Sequence, residues 1–549
     1  MIRSCVMAVM AWVIAFLVGF ALMGVARADE TSATDKLRIL YSTRFTFTED
    51  GLPLITVEIM GGKREAKLRA KSGVVVRPDG VGGSAIEADS GTAWTITAEN
   101  TKPAVIHEWT VVETLAPDDT AGIAGAMTRW KERGFEARPF DIGTVFGVDG
   151  EVIDTRETRI AIDAVASGKG SARATEHAKR FGIATAVHRE LVRRPSGTIV
   201  ARADGAVIKN PSVLWFAPKK PSETLTVADV PTGTGGSQME TGREDRRYWG
   251  SVYVTLDHDG SLLVANAVPE DKLLAGLVPA EMYPDAPPAA LEAQAIAART
   301  ELLQKIGRRN LTDPFLLCST QQCQVYAGAG KEDPRTTKAV ERTRGIVLLR
   351  DGGGMVDVRY SASCGGHTED NDAIWGGEAD PSLRGRDDNP KANVSRITDA
   401  TVGDFLAHDH DAWCSKAKHG QKSFRWTERK TVEELTARLA IDFPEIGRVK
   451  SLVPKKRGVS GRIGVLAIKG DKGSIDLAGD LKIRRTLGGL KSTLFTVARE
   501  GDAFVFQGAG FGHGVGMCQM GAIGMANAGR SHEKILGHYY RGTHLHRLY

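Results

Sequence analysis

Glycine interrupts this chain 62 times in 549 residues, about 11% against a usual ~7%. A backbone broken so often by residues that favour turns builds short strands and tight connections, and it excludes long helical bundles or a coiled coil. Aromatic residues contribute only 6%, while hydrophobic residues reach 42% and charged residues 25%. That balance supplies packed cores and excludes a largely disordered chain. At about 150 residues per domain the length predicts three or four units. The expected class is α+β, a β-rich multi-domain protein. The formal charge is +5, from 72 Lys+Arg against 67 Asp+Glu. The densest basic clusters, Arg193–Arg194 and Lys455–Lys456–Arg457, are short and read as solvated faces. No stripe of cations tracks a phosphate backbone, so no nucleic-acid partner is expected.

Arg3 precedes an apolar run from Cys5 to Val25, and Ala26–Arg27–Ala28 supplies a small-x-small site before Asp29. Residues 1–28 therefore read as a secretory signal peptide. The run is also long enough to span a bilayer, which leaves an uncleaved anchor as the alternative. Either way the rest of the chain is expected in the periplasm or cell wall, with a membrane as partner only through the leader. Beyond the leader lie Cys318, Cys323, Cys364, Cys414 and Cys518. In an oxidising compartment the C-x4-C pair Cys318 and Cys323 reads as a disulfide; two thiolate ligands for zinc are the alternative, although a structural zinc site needs four. With five cysteines, one stays free or pairs between chains.

Short alternating segments punctuated by Gly, Pro and Asp read as a small β domain over 36–115. Residues 117–202 alternate helical and strand-like patterns and read as an αβ domain. This stretch weakly resembles a SPOR-type repeat, a compact domain that holds glycan strands, through a helix–Gly–aromatic step at Ala126 to Phe135 that recurs near Ala174 to Ile183. Residues 217–246 are rich in Pro, Gly, Thr and charge and read as a linker. The largest unit is then 247–549.

Within that unit, Leu291, Ala295, Ala298, Leu302 and Ile306 recur at helical spacing from a start near Pro288. Glu281 is placed in the turn before that helix, among Ala, Pro and Met neighbours that desolvate a carboxyl group; burial of this kind raises a carboxyl pKa toward what a general acid needs near neutrality. The blocks Pro279–Ala280–Glu281–Met282 and Ala290 to Thr300 resemble those of the stage II sporulation protein D (SpoIID/LytB) family. Further resemblances follow in order: Cys323–Gln324–Val325–Tyr326, Tyr360 to Glu369, Trp375 with Pro381–Ser382–Leu383, Gly510 to Ala522, and Ile535 to Thr543. They cover about 300 residues and make 247–549 a SpoIID-like catalytic domain.

The resemblance implies an exported protein that acts on peptidoglycan, a lytic transglycosylase of denuded glycan strands with Glu281 as catalytic acid/base. A non-catalytic, glycan-binding enhancer of a cell-wall amidase is the alternative. Glycan strands, and in the second case an amidase, are the implied partners. Ser361, Ser363, His367, Gln324, Tyr326, His513 and Gln519 are the candidate substrate-binding residues. The stretch Gly510–Phe511–Gly512–His513–Gly514–Val515–Gly516 reads either as a groove wall approached closely by a sugar or as a tight turn with a buried, satisfied His513. Three departures from the family pattern stand out. Gln322 replaces a His used by some members with zinc, and Cys518 and Met520 replace Ser and Trp. No metal and no cofactor is expected, and His408–Asp409–His410–Asp411 lacks the partners of a metal site.

Overall fold

A computed structural model describes residues 40–42, 46–48, 50–78, 85–148, 151–232, 242–319, 323, 326–394 and 396–549. The leader, Gln322 and Gln324 lie outside these residues. Strand accounts for 39% of the structure and helix for 28%, the β-rich α+β class that the glycine punctuation predicts.

Two antiparallel sheets share the first core. One has seven strands in the order Thr46–Phe47, Pro53–Lys63, Leu262–Pro269, Ser251–Leu256, Val213–Pro218, Val74–Arg77 and Ile86–Glu87. The other has six, in the order Ala206–Pro211, Ser196–Ala203, Ala93–Lys102, Glu65–Ala70, Leu225–Thr232 and Gly242–Tyr248. Ile55, Leu68, Trp94, Phe216, Val227 and Val254 meet between them. The described part of the expected linker is thus largely strand. Leu225, Val227 and Val230 are buried, but a register shift between Val227 and Val230, with Asp229 at φ 57°, changes the phase of the alternation. A bulge of this kind hides a strand from a period-two reading. The boundary expected at 247 is also crossed, because Ser251–Leu256 and Leu262–Pro269 pair centrally in the first sheet.

The αβ unit begins earlier than the sequence pattern indicates. Val105–Leu115 leaves the β domain and opens a unit that continues with Thr120–Glu132, Ala137–Ile142, Glu157–Ala166, Gly170–Phe181 and Ala186–Arg193, β-α-β-β-α-β apart from a separate hairpin, Val145–Val148 with Glu151–Asp154, before Glu157. Its four antiparallel strands enclose Val112, Ala126, Trp130, Ile160 and Ile162 under the two helices. The unit sits between Ala93–Lys102 and Ser196–Ala203, two strands that pair with each other, so it is an insertion into one hairpin.

The helix Pro288–Lys305 joins the first core to a second. Proline suits its first position because the N–H it lacks would have no intrahelical partner there. The predicted stripe, Ala295, Ala298, Leu302 and Ile306, packs on the first core, while Leu291, from the same stripe, joins Ala290, Ala293, Ile296 and Ala297 on the second with Val358, Cys364, Met517 and Ile523. Small alanine side chains let both cores approach the backbone, so the helix is buried nearly all round. A third core lies within 426–506, where Val432–Asp442 and Asp480–Thr486 cover two three-stranded sheets.

A second helix, Glu270–Glu281, runs directly out of the central strand Leu262–Pro269. Glu270 and Asp271 in its first turn complement the positive end of the helix dipole. It stops at Met282, which is extended, ahead of Tyr283–Pro284. Arg299 and Glu270 are both 0% exposed and meet at 2.6 Å. The guanidinium also donates to the carbonyls of Thr343 at 2.7 Å and Ile346 at 3.2 Å. Removing one partner leaves a buried charge alone, so Arg299→Leu is expected to destabilise the fold by ~3–5 kcal/mol. The double variant Glu270→Leu/Arg299→Met is expected to recover most of that loss; denaturant unfolding of the three proteins checks both.

Candidate active site

The C-terminal end of Glu270–Glu281 opens into a cleft of about 290 Å³ lined by Glu281, Tyr283, His419, Phe511, Gln519 and Met520, among others. The last carbonyls of a helix have no partner within it. Here the Gln519 side chain supplies one: its Nε2 donates to the Glu281 carbonyl at 2.8 Å and to Gln294 Oε1 at 3.2 Å. Gln519 is the first residue of the helix Gln519–Asn527. One amide therefore joins the Glu281 block to the glycine-rich block near the C-terminus. Glu281 is half-buried at the end of its own helix, not in a turn before the next one.

Tyr283 and His419 stack with ring centroids 4.2 Å apart, and His419 Nε2 lies 3.0 Å from Asp285 Oδ2. Tyr283 is 47% exposed and Phe511 45%, so two aromatic rings stand at the mouth. Burial, followed by the negative charges of Glu281 and Glu301, holds the Tyr360 phenol well above its ordinary range. Tyr360 is thus a neutral hydroxyl close enough to feel the Glu281 charge. Tyr283, His419 and Tyr360 were not singled out from the sequence. Tyr283 carries a signal there, an aromatic residue two positions after Glu281; His419 is brought in only by tertiary folding.

Of the remaining candidates among the described residues, Gln519 lines the cleft and Tyr326, Ser361, Ser363, His367 and His513 do not. Tyr326 is 2% exposed in the first core, its hydroxyl 3.1 Å from Asn266 Oδ1. Ser361 Oγ accepts from the Gly514 N–H at 3.2 Å. Ser363 is fully buried, and its backbone N–H and C=O both pair with Phe511. His367 Nδ1 lies 2.7 Å from the Thr368 carbonyl, which can only accept, so this nitrogen carries the proton. His513 faces Trp375 at 5.0 Å. Cys318 and Cys323 form a disulfide beside the first core. His410 stacks on Phe405, and His408 lies near Asp404.

The glycine-rich stretch folds back on the protein itself. Phe511 bridges Ser363, Val515 bridges Glu369, and Met517–Cys518 pairs in parallel with Tyr360–Ser361. Gly512 at φ 101° lies against Ser361, and a side chain at Gly514 would run into the Arg462 guanidinium. These glycines serve close packing of one loop on another, and Phe511 alone of the seven residues reaches the cleft.

A family profile described as "Stage II sporulation protein" matches residues 258–349, which include the helix that carries Glu281. These residues are thus similar to the SpoIID family. A second profile, described as a domain of unknown function, matches residues 369–516. The chain is 27% identical over 309 residues to Stage II sporulation protein D of Bacillus amyloliquefaciens, covering 53% of this chain and 77% of that protein. It is 30% identical over 294 residues to a protein named Amidase enhancer from Bacillus subtilis, covering 50% of this chain and 40% of that protein. An uncharacterized protein of Brachyspira hyodysenteriae is 29% identical over 297 residues, 54% of this chain and 71% of its own length. No helix among the described residues is long and apolar enough to cross a membrane.

Gln519→Leu is expected to destabilise the protein by ~1–3 kcal/mol, because it strips a donor from two acceptors at once; chemical denaturation measures the loss. Burial pushes His367 from 6.5 down to about 4. The unfolded chain takes up this proton near 6.5 and the folded chain resists it until about 4. The neutral ring's contribution is therefore complete above 6.5 and is lost as pH falls through that window. His188, His513 and His538, each pushed down to about 4 chiefly by burial, act in the same direction. Glu58, pushed up by burial to about 7, acts in the opposite one. The expected result is thus a difference: His367→Gln loses less stability than the native chain on acidification from 6.5 to 4, read from urea midpoints at each pH.

Proposed function

We propose that this chain is an exported lytic transglycosylase that cleaves MurNAc–GlcNAc bonds in denuded glycan strands, with Glu281 as general acid and then general base. The observation that carries this reading is the cleft's acid inventory: Glu281 is the sole carboxylate among the described residues lining it. Ordinary glycoside hydrolysis uses two carboxyl groups, one to protonate the leaving oxygen and one to attack or to activate water. A transglycosylase needs one. Glu281 donates its proton to the glycosidic oxygen, and the resulting carboxylate takes the proton of the muramyl C6 hydroxyl as that oxygen closes on C1. The nucleophile is the substrate's own, and the product ends in a 1,6-anhydro ring.

The surroundings support a sugar ligand. Tyr283 and Phe511 offer exposed rings whose apolar faces match the C–H faces of a pyranose, and His419 braces Tyr283 from behind. Glu281→Gln is expected to lower anhydro-muramyl product formation from denuded sacculi by at least ~10²-fold, measured by mass spectrometry of the released fragments. Digestion at the native rate would remove Glu281 from the reaction.

The similarity to a protein named Amidase enhancer favours a second reading, in which the SpoIID domain binds glycan and stimulates a partner amidase. The same muropeptide measurement separates the two. Anhydro ends made by the purified chain alone support cleavage; faster amidase products with no anhydro ends support enhancement.

A further inference from the structure

Three cysteines that neither reading uses lie together behind the cleft wall. Cys364, Cys414 and Cys518 are all 0% exposed, and so is Asp388. One ligand atom from each of the four lies within 4.8 Å of every other. The sulfurs of Cys364 and Cys414 are 3.8 Å apart, far beyond the ~2.05 Å of a disulfide. A tetrahedral zinc ion with sulfur bonds of ~2.3 Å sets its sulfur atoms about 3.8 Å apart. We propose that Cys364, Cys414, Cys518 and Asp388 hold one Zn²⁺ in a closed S3O site. This departs from the expectation of no metal, and it stands on side-chain geometry independently of whether Glu281 cuts glycan.

The surroundings hold the four ligands in place. The backbone N–H groups of Cys364 and Gly521 donate to Cys518 Sγ at 3.1 and 3.2 Å. The Cys414 N–H donates to Asp388 Oδ2 at 2.6 Å, and the Tyr539 hydroxyl to Oδ1 at 2.7 Å. Each carboxylate oxygen keeps a lone pair for a metal, and donors aimed at thiolate and carboxylate ligands are the usual outer support of a zinc centre. A side chain at Gly521 would run into Tyr539 and Asp388, so the packing around the cluster leaves no slack. Nearby, Arg425 donates to the Gly365 carbonyl at 2.9 Å and places a cation beside the cluster.

Four protein ligands fill the coordination sphere, so the ion is structural and activates no water. Its place in the fold gives it a task. Cys518 directly precedes Gln519, which holds the Glu281 carbonyl. Cys364 follows Ala362 by two residues, and Cys414 lies in the turn Trp413–Lys416 that leads to His419; Ala362, His419 and Gln519 all line the cleft. The metal ties these three wall segments together and protects their thiols from random oxidation outside the cytoplasm.

The test uses the full-length chain, purified without chelators and without a histidine tag. Elemental analysis is expected to find one zinc per chain, and zinc X-ray absorption to find three sulfur neighbours and one oxygen. Cys364→Ser/Cys518→Ser is expected to lose the metal. Tyr539→Phe removes no ligand and is expected to weaken zinc retention against a competing chelator by about tenfold. Zinc absent from the native chain overturns the proposal, whether peptide mapping then shows three free thiols or a Cys364–Cys414 disulfide. Zinc retained unchanged by the double variant also overturns it, since the ion then sits elsewhere. Should the double variant fail to fold, the sulfur count around zinc in the native chain decides, because the Cys318–Cys323 pair supplies at most two.

Discussion

The buried ion pair between Glu270 and Arg299 fixes the helix that carries Glu281 to the helix Pro288–Lys305. Both side chains are fully out of water, a state that costs several kcal/mol per charge unless geometry and hydrogen bonding repay it. Repayment comes from the 2.6 Å contact and from the carbonyls at the end of the neighbouring helix, Pro334–Arg342, and just beyond it. The pair ties the start of Glu270–Glu281 to the middle of Pro288–Lys305. Gln519 ties the other end through the Glu281 carbonyl. A helix of 12 residues spans ~18 Å, so Glu281 stands at the tip of a strut held at both ends. A side chain carried on a fixed helix end is placed more accurately than one on a loop.

Much of this was legible in the sequence, and what was missed has physical causes. The blocks around Glu281, Tyr360 and Gly510 do converge, and the helix does begin at Pro288. Glu270–Glu281 escaped notice because it is apolar on nearly every side and carries Pro279, so no 3.6-residue stripe marks it. The supposed linker was hidden by a bulge at Asp229. Strands 251–256 and 262–269 look like the start of the C-terminal unit, but their hydrogen bonds go to residues 53–63 and 213–218. Pairing at that separation leaves no local trace. The cysteine cluster is invisible for the same reason: Cys364, Cys414 and Cys518 follow no ligand spacing along the chain.

The resemblance that located the cleft also over-assigned it, since a family motif mixes residues that do chemistry with residues that hold the loop carrying them. Tyr326 and His367 belong to the second kind. So does Glu369, whose carboxylate accepts from the backbone N–H groups of Asp370, Val459 and Ser460 and from the Ser460 hydroxyl. Ser460 Oγ in turn accepts from Arg462, which also donates to the Cys364 and His367 carbonyls.

That network explains why the glycine-rich stretch has the sequence it does. Arg462 is 1% exposed and Glu369 is 0%, so their charges are compensated inside the protein or not at all. The chain crossing above them has to come close enough to seal them from water. Gly514 permits that approach because any side chain there would occupy the guanidinium's place. The backbone then pairs with the layer beneath it, the Glu369 N–H donating to the Gly514 carbonyl at 2.9 Å. Once the loop is seated, Phe511 is left projecting at the cleft mouth and Gln519 is delivered to the end of the Glu281 helix. The glycines act on the site through the buried charges they cover, and the aromatic residue between them is the part of the motif that lines the cleft.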